Sequence, residues 1–404
     1  MHKIELLLQT LAPKGVEFRK LGEVINILKG KQLNKELLLD YGEYPVMNGG
    51  IHASGYWNEY NIDYPKIIIS QGGASAGYVN YMTSKFWAGA HCYAIELNSE
   101  KLNYKFLYYF LKNSQIILMK SQFGAGIPAL NKADIETLTI PIPPLEIQQE
   151  IVKILDAFTE LNTELNTELK ARKKQYQYYQ NMLLDFKDIN QNHKDAKMSA
   201  KTYPKRLQTL LQTLAPKGVE FRKLGEVCDF QKGKSITKKA VTFGEVPVIS
   251  GGRQPAYYHN EANRSGETIA ISSSGVYAGY VSYWDIPVFL ADSFSVSPKT
   301  KTLMPKYLFH YLTTQQDAIH ATKSTGGIPH VYSKDLQNFL IPIPPLEVQQ
   351  EIVKILDQFS LLTTDLLAGI PAEIEARKKQ YEYYREKLLA FKPLTPNKEV
   401  KKCC

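Results

Sequence analysis

One pattern in the sequence is similar to a nucleotide-binding site: Gly233-Lys234-Ser235, the last three residues of a phosphate-binding loop. Such a loop needs another glycine five residues before its second one, because its backbone N–H groups must wrap the phosphates. That position holds Cys228, and the matching triplet in the first half of the chain is Gly30-Lys31-Gln32. We therefore predict no nucleotide site at either place.

Two stronger signatures of catalysis are also missing from the sequence. Neither a His-Glu-x-x-His zinc motif nor an Asp/Asn-Pro-Pro-aromatic methyltransferase motif occurs, and the eight histidines lack metal-ligand spacing. The four cysteines include no Cys-x-x-Cys pair and are too few for a disulfide framework, which fits a reducing compartment. We predict no catalytic residue, no metal site and no cofactor in this chain.

The chain is a tandem duplication in which identical segments alternate with divergent ones. The segment Leu7–Val24 recurs letter for letter at Leu210–Val227. Two shorter segments also occur once in each half: IPIPPLE at 140–146 and 341–347, and ARKKQY at 171–176 and 376–381. A repeated frame that carries two different inserts indicates one scaffold with two non-identical recognition surfaces.

The first part of each half has a mixed pattern. Short runs rich in β-branched residues, such as Pro65–Ser70 and Glu267–Ser274, are separated by glycine pairs, while Tyr104–Asn113 has helical periodicity. This mixture predicts an α+β domain.

A long helix is predicted after each of these domains. The pairs Pro143-Pro144 and Pro344-Pro345 block helix upstream, and apolar residues then recur in steps of four and three, beginning with Ile151 and Leu155. Neither helix can bury such a stripe alone, so we expect the two to pack antiparallel. Pro371 should kink or break the second helix.

The predicted fold is thus α+β, a tandem duplication whose two globular domains are separated by two long antiparallel coiled-coil helices. The predicted boundaries are 1–142 for the first domain, 143–187 for the first helix, 188–204 for a polar linker, 205–343 for the second domain, 344–392 for the second helix and 393–404 for a tail.

Composition sets broad limits on the class of protein. A chain of 404 residues exceeds the usual size of one core. Its net charge of +9 is compatible with a nucleic-acid partner but does not require one. No apolar run approaches the roughly 20 residues that a membrane helix needs. We expect a cytoplasmic protein with no membrane partner.

The order of these motifs resembles that of the specificity subunits of type I restriction–modification systems. The resemblance rests on AP-x-GVEF-x-x-LGEV, IPIPPLE-(I/V)-QQEIVKILD and ARKKQY(Q/E)YY, each present twice, and covers essentially the whole chain. It implies that each globular domain is a target recognition domain for one half of a bipartite, asymmetric sequence in double-stranded DNA. It also implies that the helices set the separation of the domains and hold two methyltransferase subunits. S-adenosylmethionine would be bound by those subunits, motor-nuclease restriction subunits could join, and this chain would be non-catalytic.

Basic and polar side chains at matching places in the two halves suit such a function. Residues 29–35 have the sequence KGKQLNK and residues 232–238 have KGKSITK, so lysines are shared while the polar residues differ. Lysines fix a protein on phosphates, and polar side chains read base edges. The predicted DNA contacts are Lys29, Lys31, Gln32, Asn34, Lys35, His52, Ser54, Lys232, Lys234, Ser235, Thr237, Lys238, Arg253, Gln254 and His330.

Aromatic residues near the end of each long helix are the predicted contacts for protein partners, because such clusters are enriched at interfaces. The residues are Tyr176, Tyr179, Tyr381 and Tyr384.

Alternatives remain open at this point. The polar loops could be solvent-exposed segments that drifted after the duplication. The chain could also be a duplicated methyltransferase or nuclease, although the motifs are missing, or a coiled-coil protein-interaction scaffold without DNA specificity.

Overall fold

The computed structural model describes residues 2–124, 126–186, 203–299, 301–324, 327–364 and 369–394. The predicted linker 188–204 and the predicted tail 393–404 therefore lie mostly outside the described residues. The chain divides into two compact units, Met1–Leu165 with Ile374–Cys404, and Asn166–Glu373. Each unit combines one globular domain with a part of each long helical region.

The helices of the first domain and the helix that follows it are α1 (His2–Leu11), α2 (Tyr104–Asn113), α3 (Gln115–Lys120), α4 (Lys132–Glu136) and α5 (Leu145–Leu184). Those of the second domain and its following segments are α6 (Lys205–Leu214), α7 (Leu224–Val227), α8 (Pro305–Thr314), α9 (Gln316–Ala321), α10 (Ser333–Leu336), α11 (Leu346–Thr364) and α12 (Ile370–Leu389). Short 3-10 helices span Leu21–Glu23, Lys35–Leu37 and Lys238–Ala240.

The strands of the first domain are β1 (Glu17–Lys20), β2 (Ile25–Lys29), β3 (Tyr44–Met47), β4 (Tyr56–Trp57), β5 (Lys66–Ser70), β6 (Val79–Met82), β7 (Trp87–Ala88), β8 (Cys92–Leu97) and β9 (Thr139–Ile142). Those of the second are β10 (Glu220–Lys223), β11 (Cys228–Lys232), β12 (Val246–Ile249), β13 (Tyr257–His259), β14 (Thr268–Ser272), β15 (Val281–Trp284), β16 (Phe289–Leu290), β17 (Ser293–Pro298) and β18 (Leu340–Ile343).

The two domains have the same topology, as the duplication requires. In the first, an antiparallel four-stranded sheet has the order β2-β8-β5-β6, and a smaller sheet has the order β4-β3-β7 with β3 and β7 parallel. The identical segments form the pair β1-β9, where Phe18 lies opposite Pro141. In the second, the orders are β11-β17-β14-β15, β13-β12-β16 and β10-β18. The α+β prediction is confirmed in both halves.

A buried glutamine fixes each domain to the start of its following helix. Gln148 of α5 is fully buried; its Oε1 accepts a hydrogen bond from the backbone N of Asn103 (2.7 Å), and its Nε2 donates to the carbonyls of Lys101 and Pro143. Gln349 of α11 makes the same three bonds in the second unit, to Met304 N, Thr302 O and Pro344 O. The glutamine of the shared helix-start motif therefore joins each domain to its following helix. We call these three hydrogen bonds the clasp.

Within each unit, segments of the two helical regions pack antiparallel. In the first unit, Phe158 of α5 stacks on Tyr384 of α12 with ring centroids 5.6 Å apart, and Leu155 shares a core with Leu388. In the second, Tyr179 of α5 stacks on Phe359 of α11 at 5.0 Å. The predicted apolar stripe is thus buried between helices.

The second helical region is not one continuous helix in the part of the chain that is described. Helix α11 ends at Thr364 and α12 begins at Ile370, whereas residues 344–392 were predicted as one segment. Pro371 lies in the first turn of α12, where its missing N–H leaves no helical hydrogen bond unmade. The expected effect of Pro371 is confirmed, and the continuous helix is corrected to two. Leu366, which continues the apolar spacing of this region in the sequence, lies outside the described residues.

Candidate nucleic-acid interface

In the first unit, several loops meet at one end of the four-stranded sheet. They follow β2, β3 and β5, precede β8, and include the Gly126-Ile127-Pro128 turn; we call them the first loop cluster. Backbone hydrogen bonds join each loop to the next. From donor to acceptor, they are Lys31 N to Ala88 O (2.8 Å), Gly89 N to Met47 O (2.9 Å), Gln71 N to His91 O (2.9 Å) and Gly73 N to Pro128 O (2.8 Å).

The second unit builds its own loop cluster with the same framework. The bonds are Lys234 N to Leu290 O (2.9 Å), Ala291 N to Ile249 O (2.8 Å), Ser273 N to Asp292 O (3.0 Å) and Gly275 N to Pro329 O (3.0 Å). The backbone is therefore conserved between the copies while the side chains on it differ.

The shared glycine of the Gly-Lys pair has a packing role. A Cβ on Gly30 would lie 2.1 Å from the carbonyl oxygen of Gly89, and one on Gly233 would lie 2.5 Å from that of Ala291. Only glycine permits this approach of two loops. Packing of the two loops thus explains the repetition of this pair.

Most of the predicted DNA contacts lie exposed on the loop clusters or at their edges. In the first unit, Lys29 ends the edge strand β2, Lys31 and Gln32 follow it, and His52 and Ser54 lie in the turn after β3. In the second unit, the exposed residues at these places are Lys232, Lys234, Ser235, Arg253 and Gln254.

Two side chains of the second cluster are ordered by aromatic neighbours. The guanidinium of Arg253 lies 4.9 Å from the ring centroid of Tyr277 and 5.5 Å from that of Tyr280. The half-buried His330 stacks on Tyr332, and its backbone N donates to Ser324 Oγ at 3.1 Å. A planar guanidinium held on aromatic rings loses little conformational freedom on binding.

Four predicted DNA contacts come a few residues after Lys31 or Lys234, whose backbone N–H groups join the loops. Asn34 and Thr237 precede the 3-10 helices that contain Lys35 and Lys238. These residues are exposed, and none of the bonds described above joins them to the clusters, so their contact with DNA stays a prediction.

Sequence reasoning missed His91 and Asp292, which lie in the middle of the two clusters. The carbonyl of each accepts the bond that fastens the β5–β6 or β14–β15 loop, and both side chains are exposed. Nothing in the linear sequence marks them, because one lies in AGAHC and the other in LADS. Their equivalence becomes visible only through the shared backbone bonds.

The sequence also contains one Gly-x-Ser-x-Gly pattern, at Gly73–Gly77. This pattern marks hydrolases when the serine lies on a turn between a strand and a helix. Here Ser75 lies in the connection between two strands, β5 and β6, and Tyr277 follows Gly275 by the same two positions in the second unit. We assign Ser75 no catalytic role.

The four tyrosines predicted as partner contacts are half-buried, and each packs against another aromatic ring of its own unit. Tyr176 and Tyr179 lie against Phe359, and Tyr381 and Tyr384 lie against Phe158. Burial, with a smaller contribution from Asp357, raises the pKa of Tyr176 to about 12. These contacts are the ones that the helical spacing of apolar and aromatic residues predicts. Near these four residues, on the same helices, Tyr178 and Tyr383 are exposed, at 63% and 55%.

Comparison with known proteins identifies the family. The protein-family model described as "Type I restriction modification DNA specificity domain" matches residues 13–175 and again residues 216–376. The chain belongs to this type I specificity family. Both copies of the duplication match, so the family assignment covers each domain together with most of α5 in the first copy, and with α11 and the start of α12 in the second.

Individual relatives agree with this assignment. A Haemophilus influenzae protein named as a type I restriction enzyme specificity subunit is 34% identical over 93% of this chain and 96% of its own length. The EcoR124I/EcoR124II specificity subunit of Escherichia coli is 30% identical over 98% of this chain and 99% of its own. The crystal structure of an S subunit from M. genitalium, 24% identical, matches 93% of this chain with a TM-score of 0.66 and supports the fold.

Two further observations concern metal ions and membranes. Among the described residues, no cluster of histidine, cysteine and carboxylate side chains is arranged to hold a metal ion. No described helix is both long and apolar enough to cross a membrane.

Proposed function

We propose that this specificity-family chain is a non-catalytic subunit that reads a bipartite, asymmetric DNA sequence. Each loop cluster contacts one half-site. The observation that carries this proposal is the same framework of loop hydrogen bonds built twice, with different exposed side chains on it.

The chemistry of the loops suits this division of work. Exposed lysines that occur in both clusters, such as Lys31 and Lys234, supply contacts to phosphates, which fix the register without selecting a sequence. Side chains that differ between the clusters, such as His52 and Arg253, supply the selection at base edges. Arginine held on aromatic rings is suited to the two acceptors of guanine, because its fork geometry is preserved.

We further propose that the chain recruits two methyltransferase subunits, one to each unit, and that motor-nuclease restriction subunits join this complex. Each unit has the same antiparallel helix pair with one exposed tyrosine, Tyr178 or Tyr383. S-adenosylmethionine would be bound by the methyltransferase subunits. A scaffold without DNA specificity is not favoured, because the matched family model describes a DNA specificity domain.

Selection from a randomised pool of double-stranded DNA tests the proposal. The full chain, with its methyltransferase subunits, should enrich one two-part sequence. Its affinity should fall steeply with salt concentration, because each lysine–phosphate contact releases counterions. Enrichment of no sequence, or binding that salt leaves unchanged, would refute the DNA-reading function.

A further inference from the structure

His91 and Asp292 occupy the same backbone position in the two units. The carbonyl oxygen of His91 accepts a hydrogen bond from the backbone N of Gln71, the first residue after β5, at 2.9 Å. The carbonyl oxygen of Asp292 accepts one from the backbone N of Ser273, the first residue after β14, at 3.0 Å. The next residue in each case pairs with the last residue of the central strand, β5 or β14. The two side chains are therefore counterparts, although one is an imidazole and the other a carboxylate.

Each side chain lies among loops that carry predicted DNA contacts. A Cβ on Gly49 would lie 3.1 Å from the Cβ of His91, and one on Gly72 would lie 3.5 Å from its Nδ1. The backbone N of His91 donates to Asn48 Oδ1 at 3.2 Å, and this bond fixes the backbone from which the His91 side chain extends. Asp292 accepts a hydrogen bond on Oδ2 from the hydroxyl of Ser274.

Polar atoms of both side chains remain available. Within the described ranges, neither ring nitrogen of His91 has a recorded hydrogen-bond partner, and the same holds for Oδ1 of Asp292. Both side chains are exposed, in contrast to the half-buried His330 of the second cluster. A ligand laid across a loop cluster would thus meet these atoms.

A carboxylate in the middle of a basic cluster weakens binding to a polyanion unless it meets a hydrogen-bond donor. The exposed side chains of Lys232, Lys234 and Arg253 give the second cluster positive charge, whereas the carboxylate of Asp292 repels phosphate. In the major groove, cytosine presents its N4 amino group as a donor, and carboxylates accept from it. Repulsion of other groups then adds to the selectivity.

We propose that His91 and Asp292 are paired base-reading residues, one for each half-site, and that Asp292 reads cytosine through its N4 amino group. This inference rests on the proposed DNA-reading function. The imidazole of His91 can donate a hydrogen bond and the carboxylate of Asp292 cannot. The same backbone position therefore selects different base edges in the two half-sites.

Asp292→Asn tests the assignment, because the amide keeps the size of the side chain and replaces one acceptor by a donor. The variant chain, with its methyltransferase subunits, is used for selection from randomised DNA. We expect the preference for cytosine at one base pair of one half-site to fall by about tenfold or more, with the other half-site unchanged. His91→Ala should relax one base pair of the opposite half-site only.

Asp285→Asn is the matched control, since this exposed carboxylate follows β15 at the other end of the same sheet. It should leave the selected sequence unchanged. Asp292→Ala, with unchanged circular dichroism, provides a second reading should the asparagine variant fold poorly.

An Asp292→Asn variant that selects the wild-type sequence, or loses affinity equally for all sequences, would overturn the inference while leaving the DNA-reading function intact. A wild-type chain that selects no sequence would refute the proposed function itself, and this inference with it.

Discussion

At the scale of single residues, the helix-start motif shows how two identical neighbours differ in role. Gln148 is fully buried with three hydrogen bonds, whereas Gln149 is exposed on the same helix turn. Removing Gln148 would leave one N–H and two carbonyl groups of the backbone without their partner. Buried groups left unpaired in this way are costly.

We predict that Gln148→Ala lowers the free energy of unfolding of the first unit by about 3 kcal/mol. The matched variant Gln149→Ala should change it by no more than about 0.5 kcal/mol. Urea denaturation followed by circular dichroism measures both values. Equal effects of the two variants would show that the clasp does not hold the domain on its helix.

Lys112 provides a pH-dependent prediction in the first unit. Burial, and then the charge of Arg385, lowers the pKa of its ammonium group to about 8, while its Nζ donates to Val79 O and Gln115 Oε1. Between pH 8 and the ordinary value of 10.5, the unfolded chain binds more protons at this residue than the folded chain. The free energy of unfolding therefore gains a contribution that increases with pH.

The measurement compares the wild type with Lys112→Met, which lacks this titration, in urea denaturation from pH 7 to 10.5. The wild type should gain stability relative to the variant as pH rises through this range. A difference that stays constant with pH would contradict the lowered pKa.

At the scale of elements, helix α5 contains a tandem repeat, TELN-TELN, at Thr159–Asn166. Four added residues lengthen a helix by about 6 Å and rotate its end by about 40° beyond one full turn. One base pair of DNA rises about 3.4 Å and turns by about 34–36°. The added rotation of the helix thus matches the turn of one base pair closely. The added length of the helix is greater than the rise of one base pair and smaller than the rise of two.

We predict that one more TELN unit after Asn166 keeps both half-sites and lengthens the unread spacer between them by about one base pair. Deletion of Thr163–Asn166 should shorten the spacer. Replacing the same four residues by Ala-Glu-Leu-Lys keeps the helix length and serves as the control. Methylation at the original spacing by the insertion variant, with undiminished preference, would show that the helix does not set the spacer.

The sequence predicted elements well where periodicity or repetition marked them. The first long helix was expected at 143–187 and spans Leu145–Leu184, and Tyr104–Asn113 is α2. The loop clusters were only partly predictable, because they depend on bonds between residues far apart in sequence. His91 shows the limit: its neighbours in space, Asn48 and Gln71, are remote in the chain.

At the scale of the whole molecule, the duplication predicts the composition of the complex. Each unit has its own helix pair with one exposed tyrosine, so we expect two methyltransferase subunits per chain. Native mass spectrometry of the complex measures this ratio. Tyr178→Asp should reduce binding to one subunit, while Lys173→Asp, an exposed position on the same helix, should have a smaller effect. One partner or none on the wild-type chain would contradict the twofold arrangement.

The central claim is that two independent readers lie on one chain. Exchange of residues 25–135, the divergent part of the first domain, for the corresponding part of another specificity protein tests it most directly. Sequencing of methylated sites in cells that carry the exchanged chain with its methyltransferase should show one half-site replaced and the other retained. A change in both half-sites together, or in neither, would contradict the account.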